Sequence, residues 1–354
     1  MSNKIESKKV LFEQSDCPIF QSLFTSYKKA ISCPVGEIRL VQDLKTGLVF
    51  NESYGPQMIK YDSSYISDSS YSFVYRDHLK DVKKIIEDSL GRDKLVEIGC
   101  GQGFFLEMLQ ADSFVITGFD PAYRGKNQNI VKELFYPNSS KLYKGIIMRH
   151  VLEHIPNPFN FLLQLRNKNG GGGLIYIEVP CFDWICKKKN LHDICYEHVN
   201  YFRMKDFEKM FGRLILKKYL FGGQYLGIVA DLSTIQKPVI NDVDKIYFPN
   251  NPFEGLYEKN LCKDPVCIWG AGSKGVTYSL LRKKINLRVD YVVDNDKNKQ
   301  GKFLPITGLK VLSPKLFFKE VKKNCTIYIM NSNYFEEIKK LTLNQFKYKI
   351  LDNE

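Results

Sequence analysis

The amino-acid sequence predicts an α/β protein whose main domain is a Rossmann-like, doubly wound and largely parallel sheet. Apolar strand-like runs alternate with amphipathic helix-like runs from about residue 73 to residue 232, a pattern typical of βαβ units. Glycine-rich turns at residues 99–103 and 270–275 each follow a short apolar run and precede a helix-like run. The second turn predicts a smaller Rossmann-like domain at the C-terminal end.

The length of 354 residues is sufficient for two or three domains. Residues 1–60 combine turn formers with short strand-like runs, such as Ile38–Val41, and predict a small β-rich module of hairpins. Residues 61–235 carry the main alternation, and residues 236–354 are expected to form the smaller domain.

The individual elements follow in order along the chain. In the main domain the pattern predicts four helices: one over about 73–90, one from the glycine turn to residue 109, one that follows residues 149–158 and ends at 165, and one over 207–211. It predicts strands at 95–98, 114–119, 145–148, 174–180, 215–220 and 225–232. In the smaller domain it predicts a strand at 266–269, a helix at 276–282 and a strand at 289–293.

The first glycine turn indicates a ligand site. Glu97 precedes Gly99, Gly101 and Gly103, which gives E-x-G-x-G-x-G instead of the G-x-G-x-x-G that serves a pyrophosphate. A carboxylate at this strand end repels a pyrophosphate but suits the ammonium of an amino-acid-bearing cofactor. Asp120 ends the next strand about twenty residues after Gly99, the interval of one βαβ step. The alternative is a turn that binds nothing.

This pattern resembles motif I of the class I S-adenosylmethionine (SAM) methyltransferases. The resemblance implies that Glu97 lies by the methionyl end of SAM and that Asp120, followed by Pro121, accepts both ribose hydroxyls. It also implies that His150 and Glu153 lie near the cofactor, with His154 structural. The spacing of four between the two histidines is compatible with metal ligands, but no third or fourth ligand stands nearby in sequence, so we expect no metal.

Further segments make the chain similar, over nearly its whole length, to bacterial SAM-dependent methyltransferases with a C-terminal accessory domain, related to the sugar C-methyltransferases that act on nucleotide-linked deoxyketosugars. These segments are residues 97–103, 118–121, 149–158, 178–180, 196–202, 221–224, 269–272, 292–294 and 299–301. The resemblance implies C-methylation of a nucleotide-activated ketosugar, for a surface glycan or a secondary metabolite.

The Tyr-x-Glu-His segment of the sugar C-methyltransferases matches this chain only in part. Glu197 and His198 agree, but the tyrosine position holds Cys195, and a tyrosine stands one place later at Tyr196. The resemblance implies His198 as the base, oriented by Glu197, with Tyr65 or Tyr196 stabilising the oxyanion. The alternative is a structural Glu-His pair in a loop.

The resemblance also bears on the C-terminal glycine loop and on the N-terminal module. The C-terminal loop, with Gly270, Gly272, Lys274, Gly275 and Asp294, is expected to hold the nucleotide part of the acceptor, or to be a structural relic. Relatives often carry an N-terminal zinc knuckle of C-x-x-C pairs, whereas this module has only the two cysteines at positions 17 and 33. We therefore expect it to fold without metal.

Composition restricts the partners. The formal net charge is +13, but only 10 of the 52 basic residues are arginine, so we expect a lysine-rich solvated surface and no nucleic-acid partner. An anionic small substrate would still benefit from this charge. No apolar run is long enough to span a bilayer, and the nine cysteines form no C-x-x-C pair, so we expect a cytoplasmic protein with free thiols.

Three alternative functions remain open on the sequence. The first is O-methylation of a glycan or another small molecule. The second is a nicotinamide-dependent oxidoreductase that uses residues 270–275, although no hydride-transfer site is evident. The third is a non-catalytic module that binds SAM.

Overall fold

The computed structural model describes residues 7–59, 72–136, 142–239, 246–249, 264–321 and 324–352. These residues form three sheets with helices packed against them. Among the described residues, no helix combines the length and the apolar character needed to cross a membrane.

The first sheet is antiparallel and lies at the N-terminal end. Its strands are β1 (Lys8–Pro18), β2 (Val35–Asp43) and β3 (Val49–Asn51), with helix α1 (Tyr27–Ile31) between β1 and β2. The fourth strand, β9 (Asn200–Tyr201), pairs with β3 and comes from the segment that contains the predicted Glu-His pair. The N-terminal module is therefore β-rich, as predicted, but its sheet is completed by a distant part of the chain.

The main sheet has seven strands in the order β10-β11-β8-β7-β4-β5-β6. The strands are β4 (Leu95–Ile98), β5 (Ile116–Phe119), β6 (Ile130–Val131), β7 (Gly145–Arg149), β8 (Leu174–Pro180), β10 (Leu214–Leu220) and β11 (Tyr225–Asp231). The pairs from β6 to β8 are parallel, whereas β11 runs antiparallel to both of its neighbours. The strand order reverses between β4 and β7, and ligands of such sheets bind outside the strand ends at this switch point.

Five helices accompany the main sheet. They are α2 (Phe73–Leu90), α3 (Phe104–Ala111), α4 (Pro158–Lys168), α5 (Phe182–Lys187) and α6 (Met204–Met210). Helix α2 buries Leu79, Val82 and Ile86, which recur at helical spacing and pack in one cluster with the β4–β5 side of the sheet.

The third sheet is wholly parallel, with the order β14-β13-β12-β15-β16. The strands are β12 (Val266–Trp269), β13 (Tyr291–Val293), β14 (Val311–Leu312), β15 (Thr326–Ile329) and β16 (Lys347–Ile350), and the helices are α7 (Ser273–Lys284), α8 (Pro314–Glu320) and α9 (Phe335–Leu341). Its own switch point lies between β12 and β15, beside the second glycine loop.

Buried polar contacts join the third sheet to the rest of the chain. Asn331 donates a hydrogen bond to Gln224, the ring of His192 contacts the carbonyl oxygen of Met330 at 3.2 Å, and Glu337 accepts one from Ser72 at 2.7 Å. These contacts place the end of the C-terminal sheet opposite the end of the main sheet.

The predicted fold class is confirmed: an α/β protein with a doubly wound sheet, an N-terminal β-rich sheet and a second Rossmann-like sheet. The bounds of α2, β8 and β12 agree with the prediction. Strand β5 is shorter at its start, because Phe114 and Val115 belong to the turn after α3, while α6 and α7 each begin three residues earlier than predicted. The domain boundaries at residues 60 and 235 stay a prediction.

Candidate functional site

The first glycine loop connects β4 to α3 and is held by Asp120. Gly99, Gly101 and Gly103 have φ angles of 72°, 57° and 83°, in the left-handed region where side chains cause strain. Asp120 Oδ2 accepts the N–H of Gly101 at 2.7 Å, and its Oδ1 accepts the N–H of Ala122 at 2.8 Å. The carboxylate of Asp120 therefore fixes the loop and still borders the cleft that the loop opens into.

The space around Gly99 and Gly101 explains why these positions hold glycine. A Cβ on Gly99 would lie 2.3 Å from Val151 Cγ2, so packing excludes a side chain there. A Cβ on Gly101 would have no neighbour within 4 Å in the part of the chain that the structure describes. Gly101 thus leaves an open floor on which a ligand can approach the backbone.

Glu97 lies at the end of β4 and is 2% exposed. Its Oε2 has no hydrogen-bond partner among the described residues, and Arg149 Nη1 stands 4.0 Å from its Oε1. Burial raises the pKa of Glu97 to about 7, against the opposing effect of Arg149. The unpartnered oxygen makes this carboxylate a suitable receptor for a cationic group of a ligand.

His150 follows β7 and is held between two buried carboxylates. Its Nε2 lies 3.1 Å from Glu178 Oε1, and its Nδ1 lies 3.6 Å from Glu153 Oε1. Burial lowers its pKa, but the two carboxylates outweigh burial and raise it to about 10. Glu178 also contacts His78 at 3.0 Å and Arg149 at 3.5 Å, so a network of charges supports the floor of the cleft.

A second cluster consists of Glu153, His154 and His198. One carboxylate oxygen and one nitrogen from each ring lie within 4.8 Å of one another, and the two rings meet at a centroid distance of 5.0 Å. His154 Nδ1 lies 2.9 Å from the carbonyl oxygen of Glu197. Burial lowers the pKa of His154 to about 4 and also lowers the pKa of His198, so both rings are neutral near pH 7.

This cluster corrects one expectation from the sequence. The sequence indicated no third and fourth ligands near His150 and His154, but the fold brings His198, 44 residues later in the chain, to His154 and its neighbour Glu153. The three residues offer ligand types that a divalent cation accepts. Among the described residues no other group of three or more such side chains converges, and the two N-terminal cysteines are not in it.

Glu197, His198 and Tyr196 have different surroundings although they are adjacent. Glu197 is 2% exposed, and its Oε1 accepts the N–H of Gln21 from the N-terminal module. Both Glu197 and His198 line the cleft. Tyr196 does not: its hydroxyl accepts the N–H of Gly55 at 2.9 Å, and its ring packs against Gly36.

The structure does not bring Tyr196 to the cleft, because its side chain packs against the N-terminal module, so the geometry gives no support to the predicted oxyanion role. The other candidate for that role, Tyr65, lies outside the described residues. Cys195, by contrast, lines the cleft, as do Pro121, His150 and Glu153.

The second glycine loop lies between β12 and α7. Asp294 Oδ2 accepts the N–H of Ala271 at 2.7 Å, and its Oδ1 accepts the N–H of Asp296 at 2.8 Å. Lys299 Nζ lies 3.3 Å from the same carboxylate. A Cβ on Gly275 would lie 1.9 Å from the carbonyl oxygen of Gly270, so Gly275 allows α7 to pack closely on β12.

Lysines surround this second loop. Lys274 pairs with Asp193 at 2.9 Å and lies 5.2 Å from the ring centroid of Trp184. Burial and the nearby charge of Arg124 lower the pKa of Lys302. Lys299 and Lys302 both line the cleft, and sequence reasoning did not single them out as site residues, because isolated lysines in a lysine-rich chain carry no distinguishing pattern.

Both loops open into one cleft of about 1010 Å³. Its walls include residues 97–102 of the first loop, residues 269–275 of the second, and the Glu153, His154 and His198 cluster. The predicted cofactor residues, except Gly103, and the predicted acceptor residues thus face a common space.

Comparison with protein families gives one match for part of the chain. Residues 72–214 match the family model described as a methyltransferase domain. The comparison with curated proteins gives no match.

Several solved structures are similar to this chain at low identity. The 1,6-didemethyltoxoflavin-N1-methyltransferase of Burkholderia thailandensis, bound to its substrate and S-adenosylhomocysteine, is 12% identical over 52% of this chain and 95% of its own, with a TM-score of 0.36. A SAM-dependent methyltransferase from Archaeoglobus fulgidus is 17% identical over 46% of this chain and 100% of its own, with a TM-score of 0.34. The plantazolicin methyltransferase BpumL in complex with S-adenosylhomocysteine is 18% identical over 40% of this chain and 68% of its own, with a TM-score of 0.30.

The match over residues 72–214 indicates a methyltransferase, an enzyme class for which the sequence predicts SAM as the cofactor. The site is compatible with that cofactor. Glu97 offers a buried carboxylate oxygen without a hydrogen-bond partner among the described residues, and Gly101 leaves open space at the loop.

Proposed function

We propose that this enzyme methylates a nucleotide-activated sugar, and that the methyl group goes to a carbon beside a ketone. One observation carries the proposal: a single cleft connects the glycine loop of the methyltransferase domain to a second, lysine-rich glycine loop. An acceptor with a reactive sugar at one end and phosphates at the other would occupy both ends of such a cleft.

At the cofactor end, the residues of the first loop have distinct tasks in this proposal. The Glu97 carboxylate binds the ammonium of SAM, and Asp120 accepts the ribose hydroxyls while it holds the loop through Gly101. Gly99 and Gly103 shape the loop. SAM supplies an electrophilic methyl group, and the residues of the chain position the acceptor carbon in line with it.

At the acceptor end, positive charge favours phosphate. Lys299 and Lys302 line the cleft, and helix α7 begins there at Ser273 with no side-chain cap on its N-terminal N–H groups. Unpaired N–H groups and the helix dipole favour an anion at this position. Lys299 offsets the charge of Asp294 and Lys274 offsets that of Asp193, so two of the acidic side chains at this end of the cleft are paired with lysines.

Between the two ends, His198 is the proposed proton acceptor. It lines the cleft next to Glu153 and His154, and a neutral imidazole can remove the proton beside a ketone. The C–H electron pair becomes the enolate that attacks the methyl group. Glu197 acts indirectly, because its carboxylate anchors the 195–198 segment to Gln21 and its carbonyl oxygen contacts His154.

The test is a panel of nucleotide-linked ketosugars with the full-length chain, with methylated products identified by mass spectrometry and NMR. Without SAM but in D₂O, the ketosugar should exchange its α-proton for deuterium, because proton removal precedes methyl transfer. His198→Asn should lose this exchange and keep SAM binding, whereas Tyr196→Phe should retain both.

Two results would contradict the proposal. Methyl transfer to a hydroxyl without any α-proton exchange would establish O-methylation. Binding of NAD(H) that is lost in Gly272→Val, together with no methyl transfer to any sugar nucleotide, would assign the second loop to a different ligand.

A further inference from the structure

We propose that Glu153, His154 and His198 form a binding site for one divalent metal ion in the wall of the cleft. Each residue offers one ligand atom, and these atoms lie within 4.8 Å of one another. Two atoms bound to the same zinc ion at about 2.0–2.1 Å with tetrahedral angles lie about 3.4 Å apart, so ligation requires an approach of up to roughly 1.5 Å. His198, which is only partly buried and lines the cleft, can make this approach by side-chain rotation.

Glu153 provides independent support for a cation. The residue is 1% exposed, and neither carboxylate oxygen has a hydrogen-bond partner among the described residues. The nearest positive group is His150 Nδ1 at 3.6 Å, and the other nitrogen of that ring faces Glu178. A buried carboxylate without hydrogen bonds is costly, and a directly bound cation removes this cost.

His154 has the support that a metal-binding histidine usually has. Its Nδ1 lies 2.9 Å from the carbonyl oxygen of Glu197, and this contact fixes the tautomer that carries its lone pair on Nε2. The same carbonyl belongs to the segment that carries His198. The position of one ligand is thereby linked to that of the other.

The ligand types indicate the class of ion. Two imidazole nitrogens and one carboxylate favour borderline divalent ions such as Zn²⁺, Co²⁺, Fe²⁺ or Mn²⁺ over Ca²⁺ and Mg²⁺. Three protein ligands leave at least one coordination position open toward the cleft. When the ion is five-coordinate two positions are open, one for an oxygen of the acceptor and one for water or hydroxide.

The consequence for catalysis rests on the proposed function. A ketone oxygen bound to the ion would be polarised, and its α-proton would become more acidic. The C–H bond would break, its electron pair would form the enolate whose oxygen stays on the ion, and the proton would convert an ion-bound hydroxide to water. His198 is then a ligand, and it is the base only in the metal-free protein.

The experiment measures metal binding without SAM or acceptor, so its result does not depend on the reaction. The full-length chain is treated with a chelator, dialysed and titrated with Zn²⁺ by calorimetry and with Co²⁺ by visible absorption. We expect one ion per chain, with d–d bands of low-symmetry cobalt and no sulfur-to-cobalt charge-transfer band. That band would indicate a thiol such as Cys195, which lines the same cleft, and would overturn the assignment.

The variants sharpen the test. Glu153→Gln and His198→Asn should each weaken binding by more than the roughly 10- to 100-fold that the loss of an outer partner costs. Glu97→Gln is the matched control, because it removes another buried cleft carboxylate with an unpartnered oxygen and should leave metal affinity unchanged. Thermal unfolding confirms that each variant is folded.

Failure of the metal site and failure of the proposed function give different results. If the wild-type chain binds no ion, or if Glu153→Gln and Glu97→Gln bind it equally well, the metal site is wrong whatever the enzyme methylates. If the ion binds as described but no nucleotide sugar is methylated, the metal site stands and the proposed acceptor is wrong.

Discussion

The two glycine loops share a backbone design and differ in charge. Gly99 donates its N–H to Phe119 at 2.8 Å, and Gly270 donates its N–H to Val293 at 2.7 Å, in each case to the last residue of the neighbouring strand. Each loop is then held by an aspartate that follows this strand, Asp120 in one and Asp294 in the other. The aspartate accepts one N–H from the loop and one from the residue two positions after itself.

The side chains around this common frame are opposite in character. The residue two positions before Gly99 is the carboxylate of Glu97, whereas the residue two positions before Gly270 is the apolar Ile268. Asp294 has Lys299 at 3.3 Å, and no lysine or arginine is paired with Asp120 among the described residues. In our proposal the first loop binds a cationic group and the second an anionic one, although a glycine pattern alone does not distinguish them.

The largest effect should come from breaking the packing of the second loop with Gly275→Ala. Its Cβ would lie 1.9 Å from the carbonyl oxygen of Gly270, and backbone atoms on both sides leave little room to adjust. We expect a loss of about 3 kcal/mol or more in the free energy of unfolding, measured by chemical denaturation. Gly272→Ala is the control, because within 4 Å of its Cβ the described residues outside the adjacent chain place one atom, Lys299 Nζ at 4.0 Å. Equal destabilisation by both substitutions would contradict this account of the loop.

The next effect separates the ligands of the two loops. Asp120→Ala removes a carboxylate that accepts two N–H groups and, in our proposal, the ribose hydroxyls, and charged hydrogen bonds contribute about 1.5–3 kcal/mol each. The dissociation constant of SAM, measured by calorimetry, should rise at least roughly 100-fold. Asp294→Ala should change the dissociation constant of SAM by less than about twofold. A comparable loss of SAM affinity in both variants would mean that the two loops are not independent sites.

Sequence reasoning was successful where local pattern and fold agree. The strand, glycine turn and helix at residues 95–111 and at 266–284 follow from apolar periodicity and from glycines that need positive φ at Gly99 and Gly101. Helix α2 follows from its amphipathic pattern, and the structure adds a cap by the Ser72 side chain.

The features that the sequence did not predict depend on contacts between residues far apart in the chain. Nothing local indicates that β9 completes the N-terminal sheet, or that Tyr196 packs against Gly36 while its neighbours Cys195 and Glu197 face the cleft. The cluster of His154 with His198 likewise arises from two strand-end loops that meet only in the folded chain. Single-sequence patterns contain no information on such pairings.

The pH dependence of SAM binding should distinguish the acidic loop from the basic one. The pKa of Glu97 is about 7 in the free protein, and only the ionised carboxylate attracts the ammonium of SAM. Affinity should therefore increase as pH rises through 7 and fall by up to about tenfold per pH unit well below it. Calorimetry from about pH 5 to 6.5 stays more than one unit below about 7.7–8.0, the pKa of an α-amino group, so the ammonium of SAM remains protonated. Glu97→Gln should bind SAM weakly and with little pH dependence; an unchanged slope would assign the titration to another group.

The smallest effect is expected from a single lysine at the second loop. Lys299→Ala removes one positive charge from a cleft that also contains Lys302, so the KM for a nucleotide-linked acceptor should rise roughly fivefold to tenfold, about 1–1.4 kcal/mol, with the SAM affinity unchanged. Raising the salt concentration should reduce the difference, because screening weakens the remaining attraction as well. Lys347→Ala, at a 71% exposed lysine paired with Asp264, is the matched control for net charge. If both variants raise KM equally, the overall positive charge of the chain attracts the acceptor and the second loop does not bind its phosphates.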